Sequence, residues 1–543
     1  MTNKKFGWIF LGILFLAVVL RVPGLWWGYS NLDFFEPDEY QYFGIARNII
    51  NQFDNKLVPD VEVTDQFNAR ALGVHMVWLG YPVIKFLGLP NYYLLAAGRL
   101  IVLAYSLAIL FLLAIISRKI FNDVRIGLLA ALGLAIFDLN VTYSHYGVPD
   151  IPHVFWFYFS LYWTFRLISS WSKDKNGSPL KEILWVSVGA AFSLSFRFQV
   201  VPLLALAVVL CWGLWTAAPA YRRKRLMCAL TVGLLVAAGV FYISVGFDYN
   251  WHEFLKSKKE LVEGALDIIQ NGSHAHWLYN PFLYFMAVLA GTSFLAVVSA
   301  IASLIYFWRR ETKTAASYQF VLLMLSVLSV SFVFLWVGDG TFVRHANIFL
   351  PALALLSAYG GIKFYDRFQI RPWLKIATIG GVIIYTLGLT VFSQYYFVRD
   401  NRYEAAKFLK NYSPSKKIAY STYSHIKGLD SPVLLPDLNN VDIVVMHEAL
   451  YSRYYKSFTV PFKRFPGCCQ DTFLCLPQEC SVVQSILKNE TDYRLIKKYP
   501  IKNPFPERLV FKSLFGTYET FLGNVLIYEK QTIPSSLMPA TID

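Results

Sequence analysis

Only 16% of the 543 residues are charged, and several of those charges stand where a long apolar run ends. The stretch "FFEPDEYQYFGIARNI" (34–49) puts Glu36, Asp38 and Glu39 within four residues, directly after the first apolar run. "VTYSHYGVPDIPH" (141–153) sets Asp150 between Pro149 and Pro152, with His145 and His153 close by. Arg197 is the lone cation of "SLSFRFQVVP", and "GDGTFVRHANIFLP" supplies Asp339, Arg344 and His345. A carboxylate can take the proton of an attacking hydroxyl. An arginine presents a planar fork that matches phosphate oxygens. Each position also has a plain structural reading. Acidic residues at a helix start are worth about 0.3–1 kcal/mol, and an arginine at a span end can snorkel to the interface.

What must position these residues is a set of membrane spans. The chain is 56% hydrophobic, and its apolar residues gather in runs long enough to cross a hydrocarbon core. Backbone amides in lipid need partners within their own segment, so the runs are helices. About eleven spans are expected, at 7–23, 92–117, 124–141, 151–170, 182–197, 199–218, 227–246, 281–307, 317–337, 346–363 and 373–396. Basic clusters at Lys4-Lys5, Arg118-Lys119, Lys173 to Lys175, Arg222 to Arg225, Arg309-Arg310 and Lys363 to Lys375 then fall on one side. The positive-inside bias makes that side the cytoplasm. The N-terminus is expected there, and the net charge of +15 is mostly topology. Charges scattered over short loops give no nucleic-acid surface. The acidic stretch, Asp150, Arg197 and Arg344 all fall on the opposite, extracytoplasmic side. So do the external loops 24–91 and 247–280 and a small α/β domain over 397–543, leaving 1–396 as the transmembrane domain.

The first external loop reads as structured. Tyr42, Ile45, Ala46, Ile49 and Ile50 have helical spacing, with Pro37 at the helix start. Residues 68–89 read as a second helix along the interface, and 253–270 as an amphipathic helix on the membrane surface. In the C-terminal domain a helix at 401–412 precedes strands in "KIAYST", "VDIVVMH", "YRLIKKY" and "NVLIYEK". Cys468, Cys469, Cys475 and Cys480 sit within thirteen residues of one another. Outside the cytoplasm they suggest two disulfides, with three possible pairings. Loose cysteines and a zinc site are the alternatives, though the spacing lacks the C-x-x-C pairs of zinc ribbons.

Together the external charges describe a cavity at the outer membrane face, with carboxylates on one wall and arginines on another. A lipid-borne phosphate would lie against the arginines, and a carboxylate would deprotonate an acceptor hydroxyl. Fixed cations would stabilise the charge that develops on a departing polyprenyl phosphate. "EPDEYQYFGIARNI" in this position resembles the acidic motif of the GT-C class of integral-membrane glycosyltransferases. The pattern is similar to protein O-mannosyltransferases and bacterial aminoarabinose transferases. "VPDIP" (148–152) resembles the second acidic motif of that class, and "FVRHANIFLPALALLSAYG" its late span.

The resemblance covers about residues 7–400. It implies a polytopic enzyme that moves sugar from a polyprenyl-phosphate donor, with inversion, to an acceptor hydroxyl on a protein, lipid or glycan. Asp38 would be the base or would orient it, Glu39 and Asp150 its acidic companions, and Arg197, Arg344 and His345 the phosphate holders. Glu36, Tyr42, His145 and His153 would line the substrate path. His345 departs from the usual tyrosine, and His145 stands where relatives often carry arginine. Asp38, Glu39 and Asp150 could also hold a divalent cation, Mg or Mn, through oxygen ligands. The rival reading is a transporter or flippase of a lipid-linked or anionic substrate. It calls for internal repeats and helix breaks at mid-membrane, and the charges gather at one face instead.

Overall fold

The structure, a computed structural model, describes residues 3–27, 37–54, 70–173 apart from 91, 179–197, 220–245, 274–337 apart from 313–314, and 343–412 apart from 368 and 370. In the C-terminal part it describes 416–421, 441–449, 477–515, 522–531 and a few single positions. The expected span at 199–218 and the surface helix at 253–270 lie outside the described residues. Two compact units emerge: Met1–Trp26 with Asp38–Gln394, and Trp27–Pro37 with Tyr395–Asp543.

The first unit is helical. In chain order its elements are α1 (Asn3–Leu25), α2 (Pro37–Asp54), α3 (Ala71–Phe86), α4 (Tyr93–Phe121), α5 (Val124–Ile136), α6 (Asp138–Tyr143) and α7 (Asp150–Lys173). There follow α8 (Leu180–Phe196), α9 (Ala220–Val245), α10 (His274–Thr292), α11 (Phe294–Arg310), α12 (Ala316–Val337), α13 (Leu350–Arg367) and α14 (Pro372–Val398). Six helices among the described residues are long and apolar enough to cross a membrane, or seven if the bent pair α10–α11 counts as one. The chain is a multi-pass membrane protein.

Two expected spans differ from what forms. The run at 124–141 stops at Ile136, because Phe137 adopts an extended conformation (φ −72°, ψ 115°), and the chain restarts as α6. A break inside apolar surroundings frees carbonyls that need donors. Arg21 donates to the Ala135 oxygen at 3.0 Å, and Thr390 donates to the Ile136 oxygen at 2.5 Å. The run at 281–307 is two helices bent by 111°. The polar sequence Gly291-Thr292-Ser293 interrupts it. Ser293 turns to φ 150°, and its hydroxyl caps α11 at the Ala296 amide while bonding Thr386 at 2.9 Å.

The second unit holds α15 (Asn401–Tyr412), β1 (Ile418–Tyr420), β2 (Ile443–His447), α16 (Pro477–Leu487), β3 (Tyr493–Tyr499), α17 (Pro506–Phe515) and β4 (Val525–Lys530). The sheet order is β1-β2-β4-β3, with β1 parallel to β2 and the other pairs antiparallel. Strand alternation sends Ile443 and Val445 into one core with Ala405 and Leu409 of α15. Val444 and Met446 go into another with Val483 and Ile486 of α16. Cys480 is buried and disulfide-bonded; Cys468, Cys469 and Cys475 lie outside the described residues. Trp27 belongs to this unit. Its indole donates to Asp400 at 2.9 Å, and Arg402 both pairs with Asp400 and lies over the indole ring.

Candidate functional site

Four residues from three separate stretches of sequence meet at one end of the first unit. Asp150 is the first residue of α7 and is almost wholly buried. Arg197 follows the last residue of α8, where its extended backbone ends the helix and its amide still bonds Ser193. Arg344 and His345 lie on the 3-10 turn Val343–Phe349 that leads into α13. Arg197 donates to Asp150 through one arm of its fork and to the His345 Nε2 through the other. Arg344 approaches the second Asp150 oxygen at 3.8 Å. Because a guanidinium only donates, His345 accepts at Nε2 and is neutral. Its Nδ1 then faces the Tyr284 hydroxyl on α10 at 3.3 Å. The two arginine side chains keep 13% and 11% of their surface exposed, so the cluster is open at one side.

The turn that presents Arg344 has its own device. Pro351 interrupts backbone donation where the turn becomes α13, and Tyr158 of α7 enters the gap. Its hydroxyl accepts from the Ala352 amide at 3.1 Å and donates to the Ile348 oxygen at 2.9 Å. His153, one turn along α7 from Asp150, turns to Ser193 of α8, with its Nδ1 3.0 Å from both the carbonyl and the hydroxyl.

Glu39 does not join this cluster. It lies fully buried against Arg99 of α4 in a two-pronged pair, Nε to Oε1 at 2.8 Å and Nη2 to Oε2 at 2.6 Å. Arg99 also donates to the Leu25 carbonyl at 2.7 Å, and the Gly147 amide donates to Glu39 at 2.5 Å. One ion pair thus ties together α1, α2, α4 and the loop that runs to Asp150 three residues later. Both Glu39 oxygens are engaged, and the group holds the start of α2 in place. Asp38 precedes it in the first turn of α2, while its side chain, Glu36 and Asp339 lie outside the described residues.

Two other expected site residues are buried among their neighbours. Tyr42 is buried on the face of α2 that meets Gly73 of α3. His145 is fully buried, its Nδ1 3.0 Å from the Arg21 oxygen, and a side chain at Gly24 would collide with its ring. Burial pushes the His145 imidazole down to about 3, so the ring is a neutral brace. Among the described residues no three metal-ligating side chains converge, and Glu39 and Asp150 each face arginine.

Sequence reasoning passed over Arg99 and Arg21. The signal was present: each is a lone cation within an apolar run, which demands a buried partner. Arg21 finds Ser106 at 3.0 Å and the Asn140 side-chain oxygen at 2.8 Å, besides the carbonyls of Ala17 and Ala135.

Fold and site together define a polytopic α-helical membrane protein with an arginine–carboxylate cluster at one end of its helices. No family model matches the chain. A curated relative, the undecaprenyl phosphate-alpha-4-amino-4-deoxy-L-arabinose arabinosyl transferase 1 of Pseudomonas fluorescens, is 24% identical over 395 residues, 69% of this chain. The matched region spans 62% of that relative's length. Among solved structures, ArnT from Cupriavidus metallidurans in the apo state aligns with a TM-score of 0.48 at 13% identity, over 82% of this chain and 93% of that one. The same protein bound to undecaprenyl phosphate aligns with a TM-score of 0.49 at 13% identity, over 99% and 100%.

Proposed function

We propose that the protein is a membrane glycosyltransferase that moves a sugar from a polyprenyl-phosphate donor to an acceptor hydroxyl at the extracytoplasmic face. The observation that carries this reading is the convergence of Arg197 and Arg344 on one buried carboxylate, from two separate elements. Two forks aimed at the two oxygens of one anion are placed to hold a phosphate diester as well. The sequence similarity to an arabinosyl transferase supports the same reading.

In this mechanism Arg197 and Arg344 bind the donor phosphate, and Asp150 keeps both guanidiniums oriented. The acceptor oxygen attacks the anomeric carbon from the side opposite the phosphate, so configuration inverts. The bond from that carbon to the phosphate oxygen breaks, and its electron pair leaves with the phosphate, whose growing charge the arginines stabilise. The acceptor proton passes to Asp38, which the Glu39–Arg99 pair holds at the start of α2.

Mass spectrometry of lipids that co-purify with the protein tests this. The parent should carry a polyprenyl-phosphate sugar, and Arg197→Gln should lose it. Absence of any such lipid from active protein, together with uptake of a soluble anion into proteoliposomes, would favour a transporter. The bend between α10 and α11, with buried Thr292 and Ser293 at its apex, is the feature a transporter reading would use.

A further inference from the structure

The end of α8 remote from Arg197 carries a second gathering of cations and rings. Seventeen residues of helix, about 25 Å at the usual rise, separate the two ends. A groove of about 610 Å³ opens there, lined by Leu180, Lys181, Leu184, Trp185 and Val188 of α8 and by Val236 of α9. Its walls are apolar except at Lys181. Trp185 stacks on Trp163 of α7 with ring centroids 5.9 Å apart, and the Arg166 guanidinium lies over the Trp163 ring at 5.0 Å.

Glycine contacts fix how the three helices align. Gly189 meets Ser160, and Gly233 of α9 meets Ile183 and Ser187, each too closely for a side chain to be added without a shift. The α7–α8 pair is antiparallel about Ser160–Gly189 and Trp163–Trp185, which brings Arg166 level with the first turn of α8. Lys181 and Arg166 are both exposed. The one carboxylate in that first turn is Glu182. The basic run Arg222–Arg225 lies in the first two turns of α9, on the side of the membrane where the basic connections gather.

We infer that this corner binds one anionic glycerophospholipid. Its phosphate lies at Lys181 and Arg166, at the depth where tryptophans mark the interface. One acyl chain fills the apolar groove between α8 and α9. A glycerol head group can donate a hydroxyl proton to Glu182, which makes a phosphatidylglycerol a fitting occupant. Exposed cations beside an acyl-sized groove select for negative head groups, because each such charge near the surface adds favourable electrostatic energy. The site does not depend on the reaction proposed above, and it lies at the other end of α8 from Arg197.

Native mass spectrometry of the full chain in neutral detergent tests it, with phosphatidylglycerol and phosphatidylcholine supplied in equal amounts. The parent should retain phosphatidylglycerol in preference. Lys181→Gln and Arg166→Gln should each weaken that retention about fivefold. Val188→Trp should reduce the adduct count by one while leaving the cations in place. Glycerol phosphate, which lacks acyl chains, should not displace the lipid. Lys181→Gln removes an exposed charge and leaves the packing intact, so its result stands whatever the bulky substitution does to folding. Equal retention of the two lipids by the parent, or unchanged phosphatidylglycerol retention in Lys181→Gln, would overturn the inference. Displacement by glycerol phosphate would overturn it too.

Discussion

Two buried arginine–carboxylate contacts, built from the same chemical groups, differ in how far they are closed. Glu39 and Arg99 are sealed, with 0% and 1% of their side-chain surface exposed, and the pair also engages Leu25 and Gly147. Asp150 is shared between Arg197 and Arg344, on a cluster that keeps a partly open side. A buried pair whose hydrogen bonds are all satisfied within the protein has no face left for a ligand. It fixes geometry, and its loss leaves an uncompensated charge. A shared carboxylate with one arginine at 3.8 Å can loosen its hold when a better anion arrives. On the function proposed above, closure would separate scaffold from site more sharply than charge or burial alone.

The largest expected effect tests the neighbour of the closed pair. Asp38→Asn keeps the size and a capping oxygen. If Asp38 is the base, sugar transfer at saturating donor should fall by about 10² to 10⁴, with folded yield unchanged. Transfer within a few-fold of the parent would return Asp38 to a helix cap. The closed pair itself should respond in stability. Glu39→Gln or Arg99→Met should each cost about 3–5 kcal/mol, read as a lower melting temperature and a lower yield of inserted protein. The double variant should recover part of the loss, since no bare charge remains. If the single variants melt like the parent, the pair is not scaffold.

Much of this was legible in sequence, for physical reasons that can be named. Apolar runs of spanning length announce α1, α4 and α14 because lipid enforces helix and length together. Asp150, Arg197, Arg344 and His345 stood out because ionisable groups at span ends are costly without partners. The break at Phe137 was hidden, because what permits it is Arg21 and Thr390 arriving from other helices to take the freed carbonyls. The break at Ser293 left a local trace, Gly-Thr-Ser in an apolar run, that hydropathy averaging smooths away. That Glu39 meets Arg99 was out of reach, since nothing in the local sequence shows that an acid of α2 will face a cation of α4.

The open cluster should respond in binding. Arg197→Gln and Arg344→Gln each remove a charged hydrogen bond, worth about 1.5–3 kcal/mol, so the donor Kd should rise about tenfold to a hundredfold. Melting should fall less than for Glu39→Gln, because the other arginine still faces the buried Asp150 and these side chains keep a partly exposed face. Lysine at either position should rescue only in part, as a point charge does not reproduce the fork. Unchanged donor affinity in both Gln variants would make the cluster a second scaffold and erase the contrast with Glu39–Arg99.

The smallest effect comes from a pair at the opposite extreme, on the surface of the second unit. Glu529 of β4 accepts from the Lys416 ammonium and, at 2.9 Å, from the Tyr412 hydroxyl. The Lys416 contact holds the Glu529 carboxyl below the usual range, and Glu529 in turn raises Lys416. The signs follow from linkage. A depressed carboxyl contributes stability above its unfolded pKa and loses it as pH falls through the folded value. A raised lysine contributes below its unfolded pKa and loses it as pH rises through the folded one. The pair thus acts across neutral pH and fades in acid first. Exposed pairs are worth about 0.2–1 kcal/mol, so Glu529→Gln should lower the melting temperature slightly at neutral pH. The gap from the parent should close in acid below the ordinary glutamate range. It should also shrink in 1 M salt, where the screening length falls to about 3 Å. Melting curves of parent and variant from neutral pH into acid, at low and high salt, measure it. A gap that persists in acid would mean that Glu529 matters through packing. A gap of several kcal/mol would mean that solvent exposure does not grade these pairs, and closure would lose its value for telling Glu39 from Asp150.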